Sequence, residues 1–322
     1  MSETILIASN SCDVGAWRPV AEALEDSGYE ALVYESDKVA DGSIPLQIHI
    51  GATAGELSIE YADKPLCLTD VGAAWYRRPN YYTGEISDKG FQLSIATEYQ
   101  SIQQALWDMV PATAWLNRPQ TIRHAETKLT QLTVAAEVGF AFPDTLATNR
   151  WSGIQDELPG QIIFKPAKGM LYQENKLKMT YVKALDNDAG TLPLQSNPYP
   201  GLWQARIGKA REWRITAVGD EFFDAAIYTD DSAKDDWRRH QTTQAVTFAH
   251  ATFPDVEKEK CRAYMQKMNL RYGAFDFIES SDGTITFLEC NPNGQYGWLE
   301  SQLGLPISRA LANELIAIAK RR

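Results

Sequence analysis

The residues with the clearest capacity for chemistry lie near the end of the chain, in YGAFDFIESSDGTITFLECNPNG (residues 272–294). Two β-patterned runs flank Asp282-Gly283. An Asp-Gly pair signals a two-residue hairpin loop, because both central residues of that turn need positive φ. With that loop Ser281 pairs with Thr284, and counting back places Asp276 directly opposite Glu289. Opposed residues share a face, with Cβ atoms about 4.5–5.5 Å apart. Two carboxylates that close, among Phe275, Phe277, Phe287 and Leu288, either share a proton or hold a cation. Asn291 has the strand parity of Glu289 and adds an amide oxygen. Oxygen donors of this kind suit Mg2+ or Mn2+, with waters and substrate phosphates completing the shell. The competing reading makes these acids solubility residues of an edge strand.

A metal of this type usually carries a nucleotide, and the sequence narrows how. It has no GxxxxGK[ST] loop and no GxGxxG following a strand. Lysines are the remaining phosphate ligands. Lys165 ends the strand QIIFK, just before Pro166 and on the side of Ile163, and Lys128 falls on the helix stripe of Leu132 and Ala135. A lysine on a buried face needs an anion or must snorkel outward. Two such lysines beside an acid pair favour phosphate binding as the joint reading.

Stepping outward from these residues, the pattern predicts a mixed α/β (α+β) chain in three parts. Residues 1–118 read as a small α/β unit: strand 4–8, helix 16–27 stopped by Gly28, strand 30–34, a β-ribbon within 36–72, strand 71–76 delivering Arg77 and Arg78, and a helix over 91–110. Residues 119–199 hold a helix of about 124–138, ended by Gly139 and Pro143, then strand 161–165, the loop AKGMLYQENK and the linker-like DNDAGTLPLQSNPYP. Residues 200–322 hold two hairpins, one turning at Gly219-Asp220, and two helices.

Composition excludes several classes. A net charge of −11 over 322 residues does not attract nucleic acid generically. No apolar run reaches the length of a bilayer span, and the N-terminus lacks a signal-peptide pattern, so a cytoplasmic protein is expected. The four cysteines have no metal spacing and read as free buried thiols. The four histidines are scattered, which disfavours a histidine metal site or a Ser-His-Asp triad.

In order and type these pieces resemble the ATP-grasp superfamily with an N-terminal pre-ATP-grasp domain: helix lysine, strand lysine in FKP, hinge, and a terminal Asp … Glu-x-Asn set. The phrases AAWYRRP, WLNRP, KLTQLTVAAEVGFAFPDTLATN, DDWRR and FLECNPNGQYGWLE are similar to those of microviridin-type peptide maturases, the graspetide macrocyclases. The resemblance implies ATP and Mg2+ (or Mn2+) as cofactors. It implies Lys128 and Lys165 on the nucleotide phosphates, Gln204 and the backbone near Ile207 at the adenine, and Glu212 near the ribose or metal. Asp276, Glu289 and Asn291 become the metal ligands. Arg214 and Arg238 or Arg239 stabilise charge at the reacting phosphate and acyl centre, and Asn293 is a candidate for orienting substrate. Two departures stand out. Gln204 replaces the acid common in relatives, and the glycine-rich phosphate loop is reduced to Gly169.

The implied activity is ATP-dependent activation of Asp or Glu side chains of a ribosomal precursor peptide, followed by intramolecular ester or amide formation. The implied partners are that peptide, with acidic core residues, and a second copy of the chain as a homodimer. Segment 221–253 and the helix near 255–269 are candidates for holding the peptide. The rivals are a RimK- or glutathione-synthetase-like ligase of small molecules, a phosphotransferase that stops after phosphoryl transfer, and a non-catalytic nucleotide-binding module.

Overall fold

The computed structural model describes residues 4–52, 57–79, 89–150, 153–165, 167, 170–173, 176–179, 183–185, 200–230 and 246–321. Strand β1 (Thr4–Ser9) leads into helix α1 (Val14–Glu25) and returns as β2 (Glu30–Glu35), which pairs with β1 in parallel. A parallel pair needs a crossover helix, and α1 supplies it, burying Ala16, Val20, Ala21, Ala23 and Leu24. After α2 (Ser36–Ala40), the antiparallel ribbon β3 (Leu46–Ile50), β4 (Leu57–Tyr61) and β5 (Lys64–Pro65) covers one side of this unit. Strand β6 (Ala73–Tyr76) completes the parallel order β2-β1-β6, and helix α3 (Lys89–Met109) follows.

The helix expected over 124–138 is two helices, α4 (Pro119–Ala125) and α5 (Lys128–Glu137), broken at Glu126 and Thr127. The break places Lys128 at the first position of a new helix rather than in mid-helix. A four-stranded sheet, ordered β11-β8-β12-β7, comprises β7 (Thr145–Thr148), β8 (Ile162–Lys165), β11 (Lys183–Leu185) and β12 (Gly201–Ala205). Helix α6 (Ile154–Glu157) packs on one face of it with Leu158, Ile162, Phe164 and Trp203, and β9 (Met170–Gln173) pairs with β10 (Lys176–Met179) nearby in sequence.

The site is built on the largest sheet, ordered β15-β14-β13-β16-β17 and antiparallel throughout: β13 (Arg211–Val218), β14 (Glu221–Thr229), β15 (Val246–His250), β16 (Tyr272–Glu279) and β17 (Ile285–Asn291). Gly219, at φ 56°, and Asp220 form the two-residue turn between β13 and β14. Helix α7 (Asp255–Lys267) and α5 close the apolar face of this sheet around Trp213, Phe253, Phe275, Phe277, Phe287 and Cys290. Three helices rather than the two expected follow residue 200 among the described residues: α7, α8 (Gly297–Leu303) and α9 (Ile307–Lys320). Helix α9 buries Ile307, Leu311, Leu315 and Ile318 in the same core as α1, β1 and β6, tying the last segment of the chain to the first.

All four cysteines are free, but only Cys261 and Cys290 are buried; Cys12 and Cys67 are exposed. Among the described residues no helix is long and apolar enough to cross a membrane.

At the far end of the large sheet, Arg211 grips Glu279 through Nε at 2.9 Å and Nη2 at 3.0 Å, and Trp213 Nε1 donates to the same carboxylate at 2.7 Å. The Arg211 hydrogen bond, outweighing the cost of burial, holds the Glu279 carboxyl below its ordinary range. A group depressed in the folded state contributes stability above its unfolded pKa and loses it as pH falls through the folded value. Glu279→Gln is therefore expected to destabilise the protein by about 1–2 kcal/mol at neutral pH. The difference from the parent should begin to shrink near pH of about 4, the unfolded carboxylate value, and vanish only below the lower folded value. Urea titrations at pH 7 and pH 3.5 check this.

Candidate active site

The expected Asp276–Glu289 pairing is present, but it arises from two offsets that cancel. The hairpin loop is longer by one residue: Ser280, not Ser281, pairs with Thr284, and only Gly283, at φ 84°, has positive φ. Up to Phe277↔Phe287 the register follows this longer loop. A bulge at Leu288 then shifts it by one and restores Asp276↔Glu289. The bulge has a packing cause. Phe287 and Cys290, three residues apart, are both buried in the apolar core, which a regular strand with period two cannot achieve. The extra residue turns Glu289 and Asn291 to the opposite face, where Asp276 lies.

On that face the side chains form one hydrogen-bonded cluster. Asn291 Nδ2 donates to Asp276 Oδ2 at 3.3 Å and to Glu289 Oε1 at 3.2 Å, bridging the two carboxylates. Each acid also meets a protein cation. Lys128 Nζ lies 2.7 Å from Glu289 Oε2, and Arg214 Nη1 lies 2.8 and 2.9 Å from the two oxygens of Asp276. Arg214 stands across from Asp276 on β13, and its Nη2 donates to the Gln295 carbonyl at 3.0 Å. Burial, the largest effect, lowers the pKa of Arg214, but the charge and hydrogen bond of Asp276, together with the charges of Tyr272 and Glu289, outweigh it and raise the pKa. Its Nε is buried and has no hydrogen-bond partner among the described residues. Cys290, between two site residues in sequence, faces the core. Burial pushes its thiol well above the ordinary value, so it offers no thiolate nucleophile.

Glu212 precedes Arg214 by two residues on the same face of β13 and pairs with Lys209 in a short ion pair. Lys165 and Gln204 sit on the four-stranded sheet. Register places them on one face with Thr145, Ile163 and Leu202, opposite the face of Phe164 and Trp203. Gln204 is buried; its Nε2 donates to Thr145 Oγ1 at 2.8 Å, while its Oε1 is a buried acceptor with no partner among the described residues. Half-buried Ile207 lies in the connector from β12 to β13, which joins the two sheets. Along it Arg206 N–H donates to the Gln161 carbonyl at 2.8 Å and Ala210 N–H to the Glu279 carbonyl at 2.8 Å. Arg238, Arg239 and Gly169 lie outside the described residues.

Three residues that hold the site in place escaped the sequence reading. Gln131, one helical turn beyond Lys128, exchanges both backbone hydrogen bonds of Cys290, at 2.8 and 2.9 Å, and so fixes α5 against β17 beside Glu289. Asn117 binds the Tyr272 and Pro292 carbonyls, each at 2.8 Å, and accepts from Arg271 N–H at 2.8 Å, anchoring the start of β16 and the end of β17. Arg77, fully buried, reaches from the end of β6 to the loop after β17. A signal was available for Gln131: it is a polar residue on the apolar stripe shared by Lys128, Leu132 and Ala135.

That loop has no room for a side chain at Gly294. A Cβ there would stand 2.5 Å from Ala274 Cβ and 3.0 Å from Arg214 Nη2. Gly294→Ala must push the loop off the sheet and is expected to cost about 1–3 kcal/mol, measured by chemical denaturation.

The donor set fits a divalent cation. Two carboxylates and an amide on one face provide hard oxygen ligands for Mg2+, which prefers one or two carboxylates plus water and substrate phosphates to a cage of protein ligands. Among the described residues no group of three His, Cys, Asp or Glu side chains could hold a metal ion.

Residues 4–123 match the family model of the MvdD pre-ATP grasp domain. No curated protein matches the sequence. Among solved structures, macrocyclase MdnB from Microcystis aeruginosa MRC is 27% identical, covers 98% of this chain and 99% of its own, and superposes with a TM-score of 0.79. Macrocyclase MdnC of the same organism, bound with precursor peptide MdnA, is 27% identical over 97% of this chain and 99% of its own, with a TM-score of 0.82. A RiPP-associated ATP-grasp ligase from Chryseobacterium gregarium, in complex with ADP and a leader and core peptide, shares the fold at 23% identity, covering 98% of this chain and 97% of its own, with a TM-score of 0.85. With these likenesses, the chain has the fold of the ATP-grasp ligases, and its residues 4–123 match the MvdD pre-ATP grasp domain.

Proposed function

We propose that the protein is an ADP-forming ligase that activates Asp or Glu side chains of a ribosomal precursor peptide and joins them to a hydroxyl or amine of the same peptide. The observation that carries this reading is the cluster of Asp276, Glu289 and Asn291 with Lys128 and Arg214, on one face of the large sheet. It supplies both anionic ligands for a cation and cationic ligands for phosphate at the same place. The kinship in fold to macrocyclases MdnB and MdnC supports a peptide as substrate.

In this reading Asp276, Glu289 and Asn291 hold Mg2+, which neutralises charge on the nucleotide phosphates when bound. Lys128 exchanges Glu289 for a phosphate oxygen, and Lys165 approaches the phosphates from the other sheet. Arg214 Nε and Gln204 Oε1, both without a partner among the described residues, are a donor for a phosphate oxygen and an acceptor for the adenine amino group. Backbone groups near Ile207 complete the adenine contacts, and Glu212 reaches the ribose. The substrate carboxylate attacks the γ-phosphorus of ATP, giving an acyl phosphate and ADP. A peptide hydroxyl or amine then attacks the acyl carbon, and phosphate leaves. Arg214, with Arg238 or Arg239, stabilises the oxyanion of that second step. Positioning and charge neutralisation supply most of the acceleration. The parts of the chain are read as residues 1–118, 119–199 and 200–322, with the second and third closing over the nucleotide and two copies forming the working dimer.

The test uses the protein, ATP, Mg2+ and short synthetic peptides that combine Asp or Glu with Thr, Ser or Lys. Loss of one water per bond with matching ADP release supports the reading. Gain of a phosphate that stays on the peptide points to a phosphotransferase. ADP release that depends only on free amino acids points to a small-molecule ligase.

A further inference from the structure

We infer that Arg77, a residue of the N-terminal unit, is a positioning residue for the nucleotide site, setting Arg214 through the loop Asn293–Gln295. This rests on the reading above that Arg214 lies at the nucleotide phosphates. The geometry is a chain of direct contacts. Asp13, at the start of α1, lies 2.8 Å from Arg77 Nε and accepts a hydrogen bond from Arg77 Nη2 at 3.5 Å, which anchors the guanidinium. Arg77 Nη1 donates to the carbonyls of Asn293 and Gly294, both at 3.2 Å, and Nη2 donates to Gln295 Oε1 at 2.7 Å. On its other side the same loop presents the Gln295 carbonyl to Arg214 Nη2 and packs Gly294 against that nitrogen. Arg78 Nε adds a further bond to the Asn293 carbonyl at 3.2 Å, so guanidinium groups just after β6 and on β13 grip the same short loop.

The loop has little freedom to absorb a loss. Tyr272 Oη also donates to the Gly294 carbonyl at 2.8 Å, and Gly294 sits too close to Ala274 to move inward. Without the Arg77 fork the Arg78 bond to Asn293 and the Tyr272 bond to Gly294 remain, but Gln295 loses its side-chain anchor, and an outward shift takes its carbonyl away from Arg214. A lysine at 77 keeps the charge but cannot make three divergent contacts. The N-terminal unit therefore does more than flank the site: it sets the orientation of a phosphate-binding side chain that it does not touch.

The test is a double-mutant cycle read by calorimetric binding of AMPPNP with Mg2+ to the full chain. Arg77→Lys is expected to weaken binding about 10-fold, and Arg214→Lys by about 10–30-fold. The double variant should bind within about twofold of Arg214→Lys alone, because Arg77 acts through Arg214. Gln295→Ala, at an exposed position that threatens folding less, removes one contact of the fork. It should cost about threefold in the parent and nothing further in the Arg214→Lys background. Additive losses, or an Arg77→Lys and a Gln295→Ala protein that both bind as tightly as the parent, overturn the inference and leave the nucleotide-site reading standing. An Arg214→Lys protein that binds as tightly as the parent overturns that reading, and the inference with it.

Discussion

Asp276→Asn is expected to abolish substrate-dependent ADP release, lowering it by at least about 1,000-fold, and to destabilise the fold at the same time. The two effects have one cause. Asp276 is read as a metal ligand, and it is also the counter-charge of a buried arginine, Arg214. Removing one partner of a buried pair leaves the other charge uncompensated, at a cost of about 2–4 kcal/mol. Glu289→Gln separates the effects. Its partner Lys128 is 24% exposed and can turn to water, so the stability loss should be about 1 kcal/mol or less while activity falls as far. Coupled ADP-release assays and urea unfolding on both variants check the order. Equal stability losses, or a Glu289→Gln enzyme that retains activity, would contradict the account.

Asn117→Ala is expected to give the largest stability loss of any single polar substitution at the site, about 3–5 kcal/mol. Its amide satisfies two carbonyls and a backbone N–H on segments more than 150 residues away, all of them at the junction of β16 with the loop after β17. Truncation strands those groups in a buried setting, where each unpaired group costs about 1–3 kcal/mol. A loss under about 1 kcal/mol by equilibrium unfolding would mean that water replaces the amide and that the staple is dispensable.

The contrast between these two residues marks what the sequence could carry. Asp276 and Glu289 were legible because local pattern speaks to them: alternating strands, a turn signal and matching parity. Even so, the correct pairing came from an assumed two-residue loop, while the structure combines a longer loop with a bulge at Leu288. Strand parity could not reveal the bulge, since its cause is the joint burial of Phe287 and Cys290 against helices α5 and α7. Lys128 and Lys165 were visible as charges on apolar faces, but not that Lys128 opens a separate helix and meets Glu289. Arg77 was visible at the end of its strand, but neither its grip on the loop after β17 nor the staple made by Asn117 was, because their partners lie far along the chain and no periodicity encodes them. The cysteines show the same limit. Composition and spacing predicted free thiols, yet the exposure of Cys12 and Cys67 depends on turns whose packing no short pattern specifies.

In the proposed function the chain makes an acyl phosphate from a peptide carboxylate. The most direct measurement labels the Asp and Glu side-chain carboxylates of a substrate peptide with heavy oxygen and follows the label during turnover with ATP and Mg2+. The account predicts that each bond formed sends one labelled oxygen into the released inorganic phosphate, in step with ADP. Cross-linked peptide accompanied by unlabelled phosphate, or by AMP in place of ADP, would contradict it.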